Sequence, residues 1–373
     1  LAKGRETGPD GSPAGRVLIL TAAVGSGHVV AGGALGEELG RAGWEVELRD
    51  GLEIMSPVPA ERLGGMYVGQ VRHLPRPLAL LLWTISFRGT ADLVRVSVGA
   101  LFGGRLLEVV RTTSPDLIVS TYPLVTAALG HLRRRGRITV PVAALVTDYG
   151  VHPMWVSPAL DVHLVASEVS AGMVERAGGK ATVVRMPLRE GFRRPLSREE
   201  ARRTLGLPLR VPVALVVGGA WGIGDLAGCV RTVAGTRACH VVAVTGRNEV
   251  LRRRLQHEYA GKDDVRIVGW TEEMPLLMSA ADFLVQNAGG VTCLEAAALG
   301  LPVLLYRPIP GHGAINARAM ERAGVALWAR SAGELEAIIR GRAFERAVHP
   351  PSVERLPAAP DVLSALRANW RRW

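Results

Sequence analysis

Short aliphatic runs recur along the chain, each closed by glycine or small polar residues and followed by apolar positions spaced for one face of a helix. Residues 16–22 (RVLILTA) are the first such run. They lead into Gly25-Ser26-Gly27-His28, after which Ala31, Ala34, Leu35, Leu39 and Ala42 follow at helical spacing. The pattern predicts strand, glycine turn, helix. Residues 44–48, 117–120, 142–146 and 162–166 predict further strands. Proline, glycine and arginine break the pattern over 187–196, and a second series opens with 211–217 (VPVALVV) and the loop Gly218 to Gly224. Strands are expected at 240–244, 265–268, 283–286, 303–306 and 325–328, with room for one helix between each pair. Strands and helices alternating at this interval predict an α/β protein of two doubly wound, Rossmann-like halves.

The expected organisation is a flexible tail over 1–15, a first domain over 16–190, a linker over 191–197, a second domain over 198–350 and a C-terminal segment over 351–373. The helical pattern of 361–373 lies outside the alternation and is expected to fold back over the junction or on the first domain. Residues 77–110 carry LALLLWTISF and then apolar residues at looser spacing. Ten apolar-rich positions are too few to span a bilayer, which leaves a buried core helix or an interfacial one. The polar, Gly/Pro-rich start of the chain is unlike a signal peptide, and a cytoplasmic protein, peripheral at most on the inner face of the membrane, is the expectation.

Composition narrows this picture without changing it. Apolar residues make up 48% of the 373 and charged ones 21%, which excludes disorder as the main theme. Three cysteines, Cys229, Cys239 and Cys293, with no C-x-x-C pair, offer neither a disulfide framework nor a structural zinc site. The net charge of +11 falls mostly on the second half, +8 over 191–373 against +3 before it. Such a surface suits an anionic membrane, a nucleic acid or a phosphorylated ligand. The arginine runs 133–137 and 252–254 lack interleaved aromatics, which argues against nucleic acid as the main partner. Only Lys3, Lys180 and Lys262 are lysines, and none stands in a G-x-x-x-x-G-K-[ST] glycine loop, so a Walker-type phosphate loop is excluded.

The first candidate chemistry is Gly25-Ser26-Gly27-His28. Gly25 and Gly27 let backbone N–H groups approach a ligand where a strand turns into a helix. A dinucleotide fingerprint would need glycine at position 30, where Val30 stands, although Asp50 lies where a ribose-binding acid belongs. His28 falls on the first helical turn, where the dipole disfavours added positive charge; a general base and a locally packed histidine are both compatible with that place. The second candidate is Asn287-Ala288-Gly289-Gly290-Val291-Thr292-Cys293-Leu294-Glu295-Ala296. A helix starting at 290 or 291 would present its first N–H groups to a diphosphate. Glu295, one turn in, has acceptors only and suits the two hydroxyls of a ribose. The chain has no D-x-D triplet and no H-E-x-x-H pattern. A metal-bridged diphosphate is therefore not expected; two helix ends and the loop Gly218 to Gly224 would stabilise the leaving phosphate instead.

Taken in order, several segments resemble one family. They are Gly-x-Gly-His, Thr147-Asp148-Tyr149, His152-Pro153-x-Trp155, Gly218-Gly219, Gly246-Arg247-Asn248, Gly269-Trp270, Ala288-Gly289-Gly290-x-Thr292-x-x-Glu295-Ala296, and Pro308-Ile309-Pro310-Gly311 followed by Asn316. From about residue 16 to 328 the chain is similar to the monogalactosyldiacylglycerol synthases and processive diacylglycerol glycosyltransferases, relatives of the N-acetylglucosaminyltransferase of peptidoglycan synthesis. The resemblance implies a GT-B fold, two Rossmann-like domains facing a cleft, the acceptor held mainly by the first and the nucleotide-sugar by the second. It implies a metal-independent, inverting hexosyltransferase that uses a UDP-sugar as co-substrate and no resident cofactor, with diacylglycerol or a related hydrophobic alcohol as acceptor.

By the same resemblance, Glu295 takes the ribose, and Gly269 and Trp270 lie by the base. Gly218, Gly219, Gly289, Gly290 and Thr292 surround the diphosphate, Arg247 is a further nucleotide-binding residue, and Asn316 closes the loop facing the sugar. His28 and Asp148 are the candidates for activating the acceptor hydroxyl, with Gly25, Gly27, His152 and Trp155 on the acceptor side. Two departures stand out. The donor loop reads Gly311-His312-Gly313-Ala314-Ile315-Asn316 where relatives usually carry Gln and an acid after the glycine, so the sugar differs or is held differently. A clear lipid-docking loop is missing, Arg72, His73, Arg76, Trp83 and Phe87 being the nearest approach. The competing classes are a transferase acting on a soluble aglycone, a nucleotide-sugar epimerase and a dinucleotide-dependent oxidoreductase.

Overall fold

The structure, a computed structural model, describes residues 14–24, 26–56, 87–287, 289–309, 311–348 and 361–370, with isolated positions between 58 and 85. Two compact units divide the chain between residues 189 and 190, and the segment 361–370 belongs to the first.

The first unit runs β1 (Arg16–Thr21), α1 (Gly27–Arg41), β2 (Glu45–Asp50), α2 (Gly51–Met55), α3 (Arg88–Thr113), β3 (Leu117–Ser120), α4 (Pro123–Arg134) and β4 (Val142–Leu145). A 3-10 turn (Pro153–Trp155), β5 (Val162–Val165), α5 (Glu168–Arg176) and β6 (Ala181–Val183) complete it. The strands form one parallel sheet in the order β2-β1-β3-β4-β5-β6. β1, β3, β4 and β5 are buried on both faces, apart from the half-buried Arg16, which is why they read as unbroken aliphatic runs. Residues 14 and 15, expected in the tail, are already paired: Ala14 N–H donates to Gly43 O and Glu45 N–H to Gly15 O, at 3.0 and 2.9 Å.

Within 77–110 the described helix is α3, and it is a core helix on one side only. Leu106, Leu107 and Val110 are buried against the sheet, whereas Leu93 and Leu101 are 67% and 74% exposed. Gly99 lies against α4, where a Cβ would sit 2.2 Å from the Cβ of His131, so the two helices approach at backbone distance.

The second unit runs α6 (Glu190–Arg193), α7 (Arg198–Leu205), β7 (Val213–Val217), α8 (Leu226–Gly235), β8 (His240–Val244), α9 (Glu249–Glu258) and β9 (Val265–Val268). It continues with α10 (Met274–Ala280), β10 (Phe283–Gln286), α11 (Gly290–Ala298), β11 (Val303–Tyr306), α12 (His312–Arg322), β12 (Leu327–Ala329) and α13 (Ala332–Arg340). Its parallel sheet has the order β12-β11-β10-β7-β8-β9. The stretch expected as a linker is partly helical, since α6 takes 190–193 and Ser197 opens α7 with a capping box to Glu200. Arg202 of α7 ties that helix to the second sheet, donating to Ala280 O at 2.8 Å and pairing with Asp282. The last helix, α14 (Val362–Trp370), buries Val362, Ala365 and Leu366 and lies beside α1; Arg185 and Asp361 bridge at its start.

β5 carries one titratable group into the core. His163 is fully buried; its Nε2 accepts from Ser157 N–H at 3.2 Å and its Nδ1–H donates to Lys180 O at 2.9 Å. Burial lowers its pKa from 6.5 to about 4. The folded state therefore binds this proton less readily than the unfolded chain, and the associated stability is present above pH 6.5 and lost as pH falls toward 4. The contribution is about 3 kcal/mol. Urea unfolding between pH 7 and 4 is expected to show this loss in the native chain and a shallower slope in His163→Gln.

Candidate active site

In each sheet the first strand lies between strands that leave it in opposite directions, and the loops at the carboxyl ends of such strands form the ligand-binding edge of an open α/β sheet. In the first unit that point lies between β1 and β3. His28 is the second residue of α1, half-buried, and its backbone carbonyl accepts from Thr121 Oγ1, just after β3, at 3.1 Å. Its imidazole is held on three sides. Nδ1 lies 3.1 Å from Thr147 Oγ1, beyond β4; the Tyr122 ring meets it edge-on at 5.0 Å; and Trp155 lies tilted at 5.9 Å.

Asp148 and the 3-10 turn complete this cluster. Trp155, 1% exposed, donates from Nε1 to Asp148 Oδ2 at 3.3 Å. His152 caps the turn, its Nδ1 accepting from Met154 N–H at 3.1 Å. Gly27 opens α1, and Gly25 lies outside the described residues, as do Arg72, His73, Arg76 and Trp83. Burial, reinforced by Asp50, pushes the Tyr122 phenol up to about 12, so it stays protonated beside His28.

Asp50 does not stand as a ribose ligand. Its carboxylate accepts from Leu52 and Glu53 N–H, both at 2.9 Å, and from Ala23 N–H at 2.7 Å, capping α2 and pinning the loop that leads to His28. The acid required by the dinucleotide reading is thus committed to backbone. Tyr122 and this clamp were not singled out from sequence, and Thr147 only as part of the Thr147-Asp148-Tyr149 segment, with no role of its own. The available signals were an Asp directly before a short helical run and the place of Tyr122, two residues past β3.

In the second unit the switch point lies between β7 and β10, so the loops carrying Gly218–Gly219 and Gly289–Gly290 are neighbours. Gly219, Gly222 and Gly224 have φ of 69°, 52° and 79°, and a Cβ on Gly222 would sit 2.3 Å from Thr245 O. The loop is laced to its neighbours. Arg247 N–H donates to Ala220 O at 2.8 Å, Asn248 Nδ2 to Gly222 O at 3.2 Å and Asn287 Nδ2 to Ile223 O at 2.6 Å, while Ile309 N–H donates to Asn287 O at 3.4 Å.

α11 begins on Gly289 with no side-chain cap and no acid in its first turn. Gln286 holds the Gly289 peptide from both sides, accepting its N–H at 2.8 Å and donating to its carbonyl at 3.1 Å. The N–H groups of Gly290, Val291 and half-buried Thr292 have no acceptor within their own helix, which makes this end a fit for an anion. The helix after the glycine loop differs from expectation. Asp225 caps α8 by accepting Gly228 N–H at 2.8 Å and pairs with Arg307, so a carboxylate already occupies the anion position there. Of the helices that follow the Gly218–Gly224 and Gly289–Gly290 loops, α11 is open to phosphate at its start and α8 is closed by its own carboxylate.

Glu295 and Asn316 are buried, at 5% and 1% exposure, on α11 and α12. Gly269 and Trp270 follow β9, and the 45% exposed Trp270 ring carries the Arg247 guanidinium at 4.4 Å, with Trp221 at 5.9 Å. All three cysteines are buried with their thiols pushed up, Cys229 to about 12 and Cys239 to about 11, and none is placed as a nucleophile.

Two parallel sheets of this kind, each with glycine-rich loops at its carboxyl edge, make up the GT-B fold. Acinetobacter baumannii MurG superposes with a TM-score of 0.56 over 93% of this chain and 96% of its own, at 15% identity. The Streptomyces glycosyltransferase SsfS6, complexed with thymidine diphosphate, gives 0.59 over 96% and 99%, at 14% identity. Residues 28–185 match the monogalactosyldiacylglycerol (MGDG) synthase family and residues 213–339 the glycosyltransferase family 28 C-terminal domain. The chain belongs to the glycosyltransferases built from these two domains in this order. A Bacillus cereus relative, processive diacylglycerol beta-glucosyltransferase, is 27% identical over 330 residues, 86% of this chain and 83% of its own length.

Proposed function

We propose that this glycosyltransferase moves a hexose from a UDP-sugar to the hydroxyl of diacylglycerol or a closely related membrane lipid, with inversion at the anomeric carbon and without a metal ion. The observation that carries this reading is the pair of sites at the two sheet edges: an imidazole clamped in the first unit and an uncapped helix end in the second. His28 removes the acceptor proton as the oxygen attacks C1 of the sugar. The diphosphate leaves toward the N–H groups of Gly290, Val291 and Thr292. Glu295 receives the ribose hydroxyls, and Trp270 with Arg247 borders the base.

The acceptor follows from the relatives named for diacylglycerol and from the surface of α3. Among the described residues no helix is long and apolar enough to cross a membrane. Phe87, Leu93 and Leu101 are exposed, with Arg105 further along the helix and Arg134, Arg135 and Arg137 at the end of the α4 neighbour. Exposed apolar side chains and exposed arginines on the same pair of helices suit the headgroup layer of an anionic bilayer.

The test is incubation with UDP-glucose or UDP-galactose and diacylglycerol in vesicles, with and without phosphatidylglycerol, in EDTA. Expected are a glycolipid of β configuration, a rise with the anionic lipid and no loss in EDTA. Transfer only to soluble alcohols would replace the lipid acceptor, a UDP-sugar altered without acceptor would indicate an epimerase, and loss in EDTA restored by magnesium would overturn the metal-free step.

A further inference from the structure

We infer that Thr147 is a positioning residue that sets the tautomer of His28, with Trp155, braced by Asp148, holding the plane of the ring. The inference rests on the reading of His28 as the base. It adds how the base is made competent and gives Asp148 a share in that task, through Trp155.

A neutral imidazole carries one proton, and which nitrogen holds it is decided by the hydrogen bonds around the ring. Thr147 Oγ1 stands 3.1 Å from Nδ1. A hydroxyl both donates and accepts, so this contact is compatible with either tautomer. Only one of them serves the reaction. With the proton on Nδ1 donated to Thr147 Oγ1, the lone pair lies on Nε2, and the acceptor hydroxyl proton is taken there. The resulting imidazolium keeps its Nδ1–H bond to Thr147 through the step. With the proton on Nε2, the ring has no lone pair to offer at that atom.

The surroundings favour a fixed ring. Thr147 is 2% exposed, two residues past β4, the neighbour of β3 in the sheet, so its hydroxyl is held within the core. Tyr122 meets the ring edge-on and Trp155 lies tilted against it, which limits rotation about the Cβ–Cγ bond. Trp155 is in turn held by its Nε1–H bond to Asp148 at 3.3 Å. The chain from Asp148 through Trp155 to His28 transmits position, and the contact from Thr147 transmits protonation state. Outer contacts on metal-bound histidines are typically worth about 10- to 100-fold, and the same range is expected for this ring.

The experiment uses the full chain labelled with 15N-histidine, the His28 signals being assigned by their disappearance in His28→Gln. In the native protein at pH 8 the nitrogen shifts are expected to report an Nδ1–H tautomer. Thr147→Val is expected to move the shifts toward Nε2–H and to lower kcat about 10- to 100-fold, with KM for the UDP-sugar within about 2-fold. Thr147→Ser, which keeps the hydroxyl, is expected to restore both. Trp155→Phe is expected to lower kcat without changing the tautomer.

An unchanged tautomer in Thr147→Val, or a loss of kcat that Thr147→Ser shares in full, would overturn the assignment. Because the nitrogen shifts are read without turnover, this outcome is separate from failure of the base reading, which would show as near-native activity in His28→Gln.

Discussion

In His28→Ala, kcat is expected to fall by about 10²- to 10⁴-fold, the usual worth of a positioned general base. UDP affinity, measured by calorimetry, is expected to stay within about 3-fold, a margin well under the tenfold that 1.4 kcal/mol represents. The separation follows from where the residues stand. His28 belongs to the first unit, in the first turn of α1 after β1, whereas the loops carrying Gly218–Gly219 and Gly289–Gly290, Glu295 and Trp270 all belong to the second. Removing the imidazole leaves those loops and their hydrogen bonds in place. Loss of UDP binding in this variant, with the fold intact by circular dichroism, would place His28 at the nucleotide instead of the acceptor.

Glu295→Gln is expected to do the reverse, weakening UDP about 10- to 100-fold while kcat at saturating donor changes little. Hydrogen bonds to a charged acceptor contribute about 1.5–3 kcal/mol, and an amide replaces one acceptor oxygen with a donor that ribose cannot use as well. Glu295 is buried on α11, one turn beyond the helix end assigned to the diphosphate. On the proposed function, ribose and diphosphate would therefore share one rigid element. Calorimetry with UDP and with uracil alone separates the roles: uracil binding is expected to be unaffected. Equal weakening of both would show that Glu295 supports the fold of the site and not the ribose.

Much of the fold was legible because parallel strands buried on both faces are written as plain aliphatic runs. Leu117–Ser120, His240–Val244, Phe283–Gln286 and Val303–Tyr306 lie where the pattern puts them. β6 was not, since its three residues form a half-buried edge strand and carry too short a run to register. The helix ends of α1 and α11 could be read from glycine spacing. What sequence could not supply is contact between distant segments: Tyr122 and Thr147 reach His28 only because β1, β3 and β4 are neighbours in the sheet. The carboxylate at the start of α8 was legible as a residue but not as a competitor for the anion, because its partner, Arg307, comes 82 positions later.

Asn287 has a consequence for how donor preference can change. Its side-chain amide donates to Ile223 O and its backbone carbonyl accepts from Ile309 N–H, so three strand-to-helix crossings are pegged to one buried residue. On the proposed function, an incoming nucleotide-sugar would meet loops that are already mutually aligned and would have less freedom left to freeze out on arrival. The same peg makes the stretch after Ile309 an unequal partner: on that reading its far end, around His312 and Gly313, could be rewritten to suit another sugar while its near end stays anchored to Asn287.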